Sequence, residues 1–324
     1  MLLKSKKETM HGPVRVVCVG VVTLDALALV PRYPEADERI VGEEVRIAGG
    51  GPAANAAVVL ARQGIQVAFI GRVGRDSAGE TALRLLAAEG VDVSAVLEDP
   101  ATPTQASCVV ISQERQTRAI STLAVPPLPP IETFGPRAIE MIAAAEWVHA
   151  DHLGFAPARA CLDRLAARPR LCVDAGNPVA GLTLAGLDLY APTTEALTRR
   201  YALPHTAAGI ETAAARALTE GAAAVVATNG AQGSIAWWSE RFDPARPAGR
   251  VAVPAHRGVE VRSTLGAGDV FHGALLSALC RGRDWPAALA EANATAALSC
   301  RGLDGRSAVP GLEELARALE AQAR

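Results

Sequence analysis

The chain has 324 residues, half of them hydrophobic and only 4% aromatic, and its 32 basic and 34 acidic residues leave a formal net charge of −2. So even a balance offers no basic field to nucleic acid or to an anionic membrane, and points instead to a small-molecule partner. Six scattered cysteines (Cys18, Cys108, Cys161, Cys172, Cys280 and Cys300) form no CxxC pair and no zinc-like spacing, which argues against a disulfide framework and for a reducing, cytoplasmic setting. Residues 1–13 read as a leader. Lysines ahead of an apolar stretch mimic a signal peptide, but Arg15, Gly20 and Asp25 interrupt the stretch and no small-residue cleavage site follows. No run approaches the roughly 20 apolar residues that span a bilayer.

From residue 14 onward the pattern alternates. "VRVVCVGV" (14–21) is a short β-rich run of the kind buried on both faces, and "PAANAAVVLARQG" after it is an Ala-rich helix closed by Gly64. "IQVAFIG", "VDVSAVL", "AEWVHAD", "RLCVDAG", "LDLYAP" and "AAAVVATNG" are further strands, each beside a helix-like segment. Such alternation predicts an α/β fold: a doubly wound, mainly parallel sheet flanked by helices, in one domain over 14–324. Two segments break it, "ERIVGEEVRIAG" within 38–49 and "QASCVVISQERQTRAISTL" within 105–123, and neither leaves room for a crossover helix. They predict a small β-sheet lid, whose open edges suit pairing with a second copy as a homodimer. The Pro-rich "VPPLPP" is a stiff exit from it.

"RSTLGAGDVFHG" (262–273) places small residues and a carboxylate where a helix begins. With a start near Gly268, the backbone N–H groups of Gly266, Ala267 and Gly268 converge on one point and the helix dipole adds partial positive charge there, an anion hole. Asp269 in the first turn would repel a phosphate, so its benefit is chemical: it can accept a proton from a hydroxyl attacking phosphorus. The alternative is an ordinary helix start with an early acidic residue. "GGGPAANAAVVLARQG" (49–64) again leads glycines into a helix, with Asn55 one turn inside, where an amide wants partners. Asn55 and Asp25 give an amide and a carboxylate suited to neighbouring sugar hydroxyls; Asp25 alone would read equally as a turn residue.

The pair "GGGPAAN" and "TLGAGDVFHG", with the alternation and the lid inserts along nearly the whole chain, resembles the ribokinase-like (PfkB) carbohydrate kinases. The resemblance implies a ribokinase-like fold and Mg-ATP-dependent transfer of the γ-phosphoryl group to a primary hydroxyl of a sugar. It implies Asp269 as base, Gly266, Ala267 and Gly268 as anion hole, and Asp25, Gly50, Gly51 and Asn55 as sugar-holding residues. "ATNGAQG" (227–233) resembles the family's nucleotide-side turn, which brings Thr228, Gly230 and Gly233 to ATP, with Asn293 bordering the adenine. The family's Asn-x-x-Glu segment, which acts on the magnesium-phosphate network, stands here as "PTTE": Glu195 is kept and Pro192 occupies the Asn position. Ser263 stands where the family's signature begins with Asp.

"PRYPEADERI", "GGGPAA", "FIGRVG" and "DVFHGALLSAL" are similar to segments of ketohexokinases and bacterial sulfofructose kinases. That implies a ketohexose acceptor, neutral or carrying a 6-anionic group as in sulfofructose, phosphorylated at C1. Arg39 on the first lid strand, His152, Ser121 and Thr122 are then candidates to surround the far end of the sugar. A kinase for ribose, a nucleoside or a keto-deoxy acid, and a non-catalytic sugar-binding regulator, are the alternatives. His149 and His152 in "HADH" lack a third ligand at metal spacing, and Trp237 and Trp238 read as strand packing.

Overall fold

The computed structural model describes residues 13–323, so the predicted leader, apart from Pro13, lies outside the described residues. Strand β1 (Val16–Val19) leads directly into β2 (Thr23–Val30) and β3 (Glu44–Gly50), and α1 (Pro52–Arg62) returns the chain to β4 (Val67–Ile70). A short ribbon of β5 (Arg72–Gly74) and β6 (Leu97–Asp99) brackets α2 (Ser77–Ala88), and β7 (Ala106–Ser112) and β8 (Thr117–Thr122) form a hairpin. Then come α3 (Pro136–Ala144), β9 (Trp147–Ala150), α4 (Phe155–Leu162), β10 (Arg170–Asp174), β11 (Leu189–Ala191), α5 (Thr194–Arg200), α6 (Ala207–Glu220) and β12 (Ala224–Thr228). An antiparallel pair, β13 (Ser234–Trp238) and β14 (Gly249–Val253), precedes α7 (Ala267–Cys280), α8 (Trp285–Ser299) and α9 (Leu312–Ala323).

The main sheet runs β14-β13-β12-β11-β10-β9-β1-β4, parallel from β12 to β4. Its strands are buried on both faces, and the alternation of β1 shows how. Val16 and Cys18 face a core built with α1, α2, α7 and α8, whereas Val17 and Val19 face one built with α3 to α6. Chain order reverses at β1: the next main-sheet strand, β4, lies on one side and β9 on the other. This switch point opens a crevice at the carboxyl ends of β1 and β9, where α/β folds bind their ligands.

The lid is a second sheet of order β3-β2-β7-β8. Its first strand, β2, is the run "TLDALALV", which lies outside the two predicted lid segments; Asp25 therefore sits within a lid strand and not in a turn. Residues 38–43 form an exposed loop, and β3 begins only at Glu44. The inner face packs Leu27, Leu29, Val109 and Ile111 against Leu265 and Leu303, so the lid rests on the loop that leads into α7. Arg118 Nη1 donates to Thr264 Oγ1 at 2.9 Å, and Arg262 pairs with Glu44 at 2.8 Å, tying both lid edges to that loop.

Helices α1 and α7 lie against each other closely enough to bring residues 55 and 269 together. The contact is made by small side chains: Ala53, Ala56, Ala57 and Ala274 are fully buried, and a methyl group on Gly273 would lie 2.7 Å from the Ala56 carbonyl oxygen and 2.9 Å from Val59 Cβ. A backbone neighbour cannot rotate away as a side chain can. Gly273→Ala is therefore expected to overpack the contact and lower stability by about 1–3 kcal/mol, with a fall in turnover as α1 moves off α7. Urea unfolding followed by circular dichroism checks it; parental stability and turnover would mean that the two helices can slide without consequence.

Candidate functional site

Two groups of residues meet at the start of α7. Gly266 is its N-cap, held at φ 74°, a left-handed conformation that glycine enters without a Cβ penalty. Helix α7 thus starts at Ala267, one residue before the predicted position. The Ala267 N–H already reaches the Thr264 carbonyl at 3.3 Å. The donors left without an intrahelical acceptor in the first turn are those of Gly268 and Asp269, and they point along the axis with the positive end of the helix dipole.

On one side of this turn, Asn55 Nδ2 donates to Asp269 Oδ2 at 2.8 Å. Asn55 is itself fixed by Arg306, whose Nε donates to Asn55 Oδ1 at 2.7 Å and whose Nη2 donates to the Gly50 carbonyl at 2.7 Å. Asp25 pairs with Ala48 on the lid and reaches diagonally to Gly50, where a methyl would collide with Asp25 Oδ2 and with Thr23 Oγ1. Its Oδ1 is buried with no protein partner, and burial raises its pKa against the lowering contributions of Thr23 and Ser107. Gly51, the N-cap of α1 at φ 97°, turns the backbone beside the Val21 carbonyl. The cluster of Asp25, Gly50, Asn55 and Asp269 is the one the sequence predicted, and Arg306 is an addition to it.

On the other side lies a cavity of about 720 Å³. Thr228, Gly230, Gly233, Glu195, Asn293, Ala267 and Gly268 all line it, so the predicted nucleotide-side residues are brought together. Ala296, Ala297, Val259 and Val261 supply apolar walls. The Asn293 amide is spoken for: Nδ2 donates to the carbonyls of Val253 and Pro254, each at 3.1 Å, so it ties down the end of β14. Glu195 is the one carboxylate among the lining residues, exposed at the lip and paired with Arg199. No group of three or more metal-ligating side chains occurs among the described residues. A single carboxylate fits Mg2+ that arrives on the phosphates and keeps most of its water.

Other predicted positions lie elsewhere. Arg39 is exposed in the loop ahead of β3, not on a lid strand, because residues 38–42 lie beyond the pairing of β2 with β3, which begins at Glu44. Ser121 and Thr122 point to opposite faces by strand alternation: Thr122 pairs with Ser107 on the Asp25 row, and Ser121 pairs with Cys108 on the outer face. His149 is buried in β9 with its ring 6.1 Å from that of His272, well away from the lid. His152 follows on the turn after β9, its Nδ1 buried without a partner. Trp237 is buried in β13 and Trp238 stacks on Trp285 at 5.5 Å, the packing role expected of them.

The carboxylate between those histidines carries no motif in the sequence. Asp151 is fully buried and accepts from the backbone N–H groups of Val21 (2.7 Å), Ala53 (3.3 Å), Leu153 and Gly154 (both 3.0 Å). Asp174 carries no motif either; it pairs with His272 at 3.2 Å beneath α7. Their shared signal is an acidic residue at the carboxyl end of a buried parallel strand. For Arg306 the signal is a charged residue flanked by small ones in "LDGRSAV".

Burial and the negative charge of Asp174 push the Asp269 pKa from 3.8 up to about 7, against the lowering effect of the Asn55 hydrogen bond and of His272. Asp174, facing His272, is held down at about 2 despite its burial. The arrangement gives a carboxylate able to take a proton near neutral pH, set between a polar cluster and a cavity at a helix N-terminus.

A model of the pfkB family carbohydrate kinases matches residues 14–126 and 181–310. A ketohexokinase from Mus musculus is 26% identical over 306 residues, covering 90% of this chain and 98% of that protein. A ribokinase from Haemophilus influenzae (strain ATCC 51907 / DSM 11121 / KW20 / Rd) is 40% identical over 76 residues, a match spanning 24% of this chain and 25% of that relative's length. A solved ribokinase from Arabidopsis thaliana, complexed with ribose and ATP, superposes with a TM-score of 0.78 at 21% identity, over 95% of this chain and 99% of that one. The fold and site define an ATP-dependent sugar kinase with a ribokinase-like fold. The chain belongs to the pfkB family of carbohydrate kinases.

The raised pKa of Asp269 makes its charge a burden on the fold. That burden is absent below the unfolded value of 3.8, grows as pH rises between the two values and is complete above about 7. Asp269→Asn is expected to raise the melting temperature by a margin that widens from pH 5 to pH 7 and is then constant. Scanning calorimetry at a series of pH values decides it; a pH-independent gain would contradict the assigned charge.

Proposed function

We propose that the protein transfers the γ-phosphoryl group of ATP to the primary hydroxyl of a neutral sugar, with a ketohexose phosphorylated at C1 as the leading acceptor. The observation that carries this reading is the place of Asp269, which touches Asn55 on the polar side while its neighbour Gly268 forms the wall of the cavity. The sugar lies against Asp25, Gly50 and Asn55, and the triphosphate enters from the Thr228, Gly230 and Gly233 side. Asp269 Oδ1 takes the hydroxyl proton as the oxygen bonds to the γ-phosphorus. The bond from that phosphorus to the bridging oxygen breaks, and ADP leaves. The N–H groups of Gly268 and Asp269 face the charge that develops, and the lid keeps water from competing for the phosphoryl group. Mg2+, when bound to the phosphates, neutralises charge on them, with Glu195 placed to hold its water.

The neutral acceptor is favoured because Arg39, the cation that suited a 6-anionic sugar, stands on the exposed loop, while the lid row facing the cleft carries Asp25. Ribose is the second reading, supported by the names of the relatives. A coupled ADP-release assay over fructose, a 6-anionic ketohexose, ribose, nucleosides and keto-deoxy acids tests all of this at once. Fructose is expected to exceed the 6-anionic ketohexose in kcat/KM, and Arg39→Ala to leave their ratio unchanged. Asp269→Asn is expected to cut turnover by about 10²-fold or more with the KM for ATP retained, the scale of lost general-base catalysis. Preference for the anionic sugar that falls in Arg39→Ala would restore the sulfofructose-type reading. Wild-type turnover in Asp269→Asn would remove the base.

We further infer a cytoplasmic homodimer formed through the lid. Its outer face presents Val45 and Ile47, 76% and 59% exposed, beside Ala26, Ala28 and Val110 on neighbouring strands, an apolar row that a second copy would cover. Sedimentation at micromolar concentration is expected to give a dimer, and Ile47→Asp a monomer. A wild-type monomer in the presence of ATP and fructose would exclude the pairing.

A further inference from the structure

Arg306 is a buried cation whose side chain makes no ion pair within 4 Å among the described residues. It is only 6% exposed, and its direct acceptors are neutral: the Asn55 amide oxygen and the Gly50 carbonyl. Its Nη1 is buried without a protein partner beneath Gly49, where a side chain would collide with it. Burial pushes its pKa down to about 10, and Asp25 and Asp304 pull it back, so it stays charged at neutral pH. A guanidinium in such a place is costly unless something depends on it.

The loop that carries it is built to present it. Asp304 Oδ1 accepts from the N–H groups of Arg306 at 2.8 Å and Ser307 at 2.7 Å, closing a tight turn, while Asp304 Oδ2 accepts from Arg46 on the lid at 3.1 Å. What depends on Arg306 is the sense of one amide. The two ends of a carboxamide have nearly the same shape, and their partners decide which way it faces. Arg306 can only donate. It therefore holds Asn55 Oδ1 toward itself and turns Nδ2 toward Asp269.

We propose that Arg306 is a positioning residue for phosphoryl transfer: by fixing the orientation of the Asn55 amide it keeps Asn55 Nδ2 on Asp269 Oδ2 and leaves Asp269 Oδ1 free for the substrate hydroxyl. The proposal rests on the kinase reading of Asp269. It differs from a purely structural tie between the C-terminal loop and Gly50 in predicting that the titration of Asp269 responds to Arg306 through Asn55. The groups that face Asp269 are Asn55 from α1, Asp174 from the end of β10, Asp151 after β9, His272 one turn along α7, and Arg306 from the loop. With Arg306 replaced, the amide can turn its oxygen to the carboxylate and a nearby cation is gone. Both changes favour protonated Asp269.

The test is the titration of the Asp269 carboxyl carbon by NMR in 13C-aspartate-labelled protein, which needs no acceptor, alongside the pH profile of kcat with MgATP and fructose. In Arg306→Met the midpoint and the acid limb of kcat are expected to move up together by about one unit. Turnover at pH 7 then falls and recovers above pH 8, and the KM for ATP holds. Arg306→Lys keeps the charge but cannot hold both acceptors, and is expected to give part of the shift. In an Asn55→Ala background Arg306→Met is expected to give only the smaller shift due to the lost cation, because the part carried by the amide is already gone. An unmoved titration in folded Arg306→Met or Arg306→Lys, or a shift that persists in full without Asn55, overturns the proposal. So does a chain that fails to fold even with Lys, which assigns Arg306 to stability. A wild type that phosphorylates no sugar of the panel defeats the kinase reading and leaves the titration of Asp269 to judge Arg306.

Discussion

The carboxylate of Asp151 holds the crevice in shape. It collects four backbone N–H groups from the residues after β1, the start of α1 and the turn after β9, and so ties the ends of two paired strands to the helix that packs on them. Each hydrogen bond to a charged acceptor is worth roughly 1.5–3 kcal/mol, and a missing carboxylate would leave the donors buried and unsatisfied. The close packing of Gly20 against Asp151, where any side chain would collide, shows how completely the backbone has closed around it. The switch point is therefore a fixed frame. The polar groups that work in it are placed to within hydrogen-bond tolerance.

From that frame the two halves of the site are carried by different kinds of contact. Asn55 and Asp269 are brought together by close helix packing, since alanines on α1 and Gly273 on α7 allow an approach that larger residues would prevent. The nucleotide-side cavity is carried by backbone instead: the turn after β12, the β14 end tied by Asn293, and the first turn of α7. The lid joins both halves, because its inner face sits on Leu265 and Leu303, which flank Gly266 and the Arg306 loop respectively. The lid thus touches both the first turn of α7 and the loop that carries Arg306.

The electrostatics follow the same division. Asp174 with His272 lies below α7 as a paired, dry group, and its negative charge is one cause of the raised pKa of Asp269. Asp25 and Arg306 attract each other at longer range, each with one buried polar atom unmatched by protein.

The sequence by itself determined most of the alternation of the main sheet, though not the 91–97 run, which stays outside it, and the glycine-led starts of α1 and α7; the contact of Asn55 with Asp269, 214 residues apart, came from the packing of those helices. The alternation and the helix starts are local: strand burial, the cap at Gly266 and the small face of α1 are written in neighbouring residues. It did not determine what tertiary contact alone decides. β2 reads only as an apolar run beyond the first strand until the lid gives its alternating residues a face to cover, and Arg39 reads as a strand residue although residues 38–43 form an exposed loop. Asp151, Asp174 and Arg306 stand as isolated charges in the chain. Their roles come from partners 98 to 256 residues away, at Ala53, His272, Asn55 and Gly50, and no spacing rule reaches across such intervals. The chain specified its elements through short-range periodicity. Only the folded form brought the buried charges to the groups that give them work.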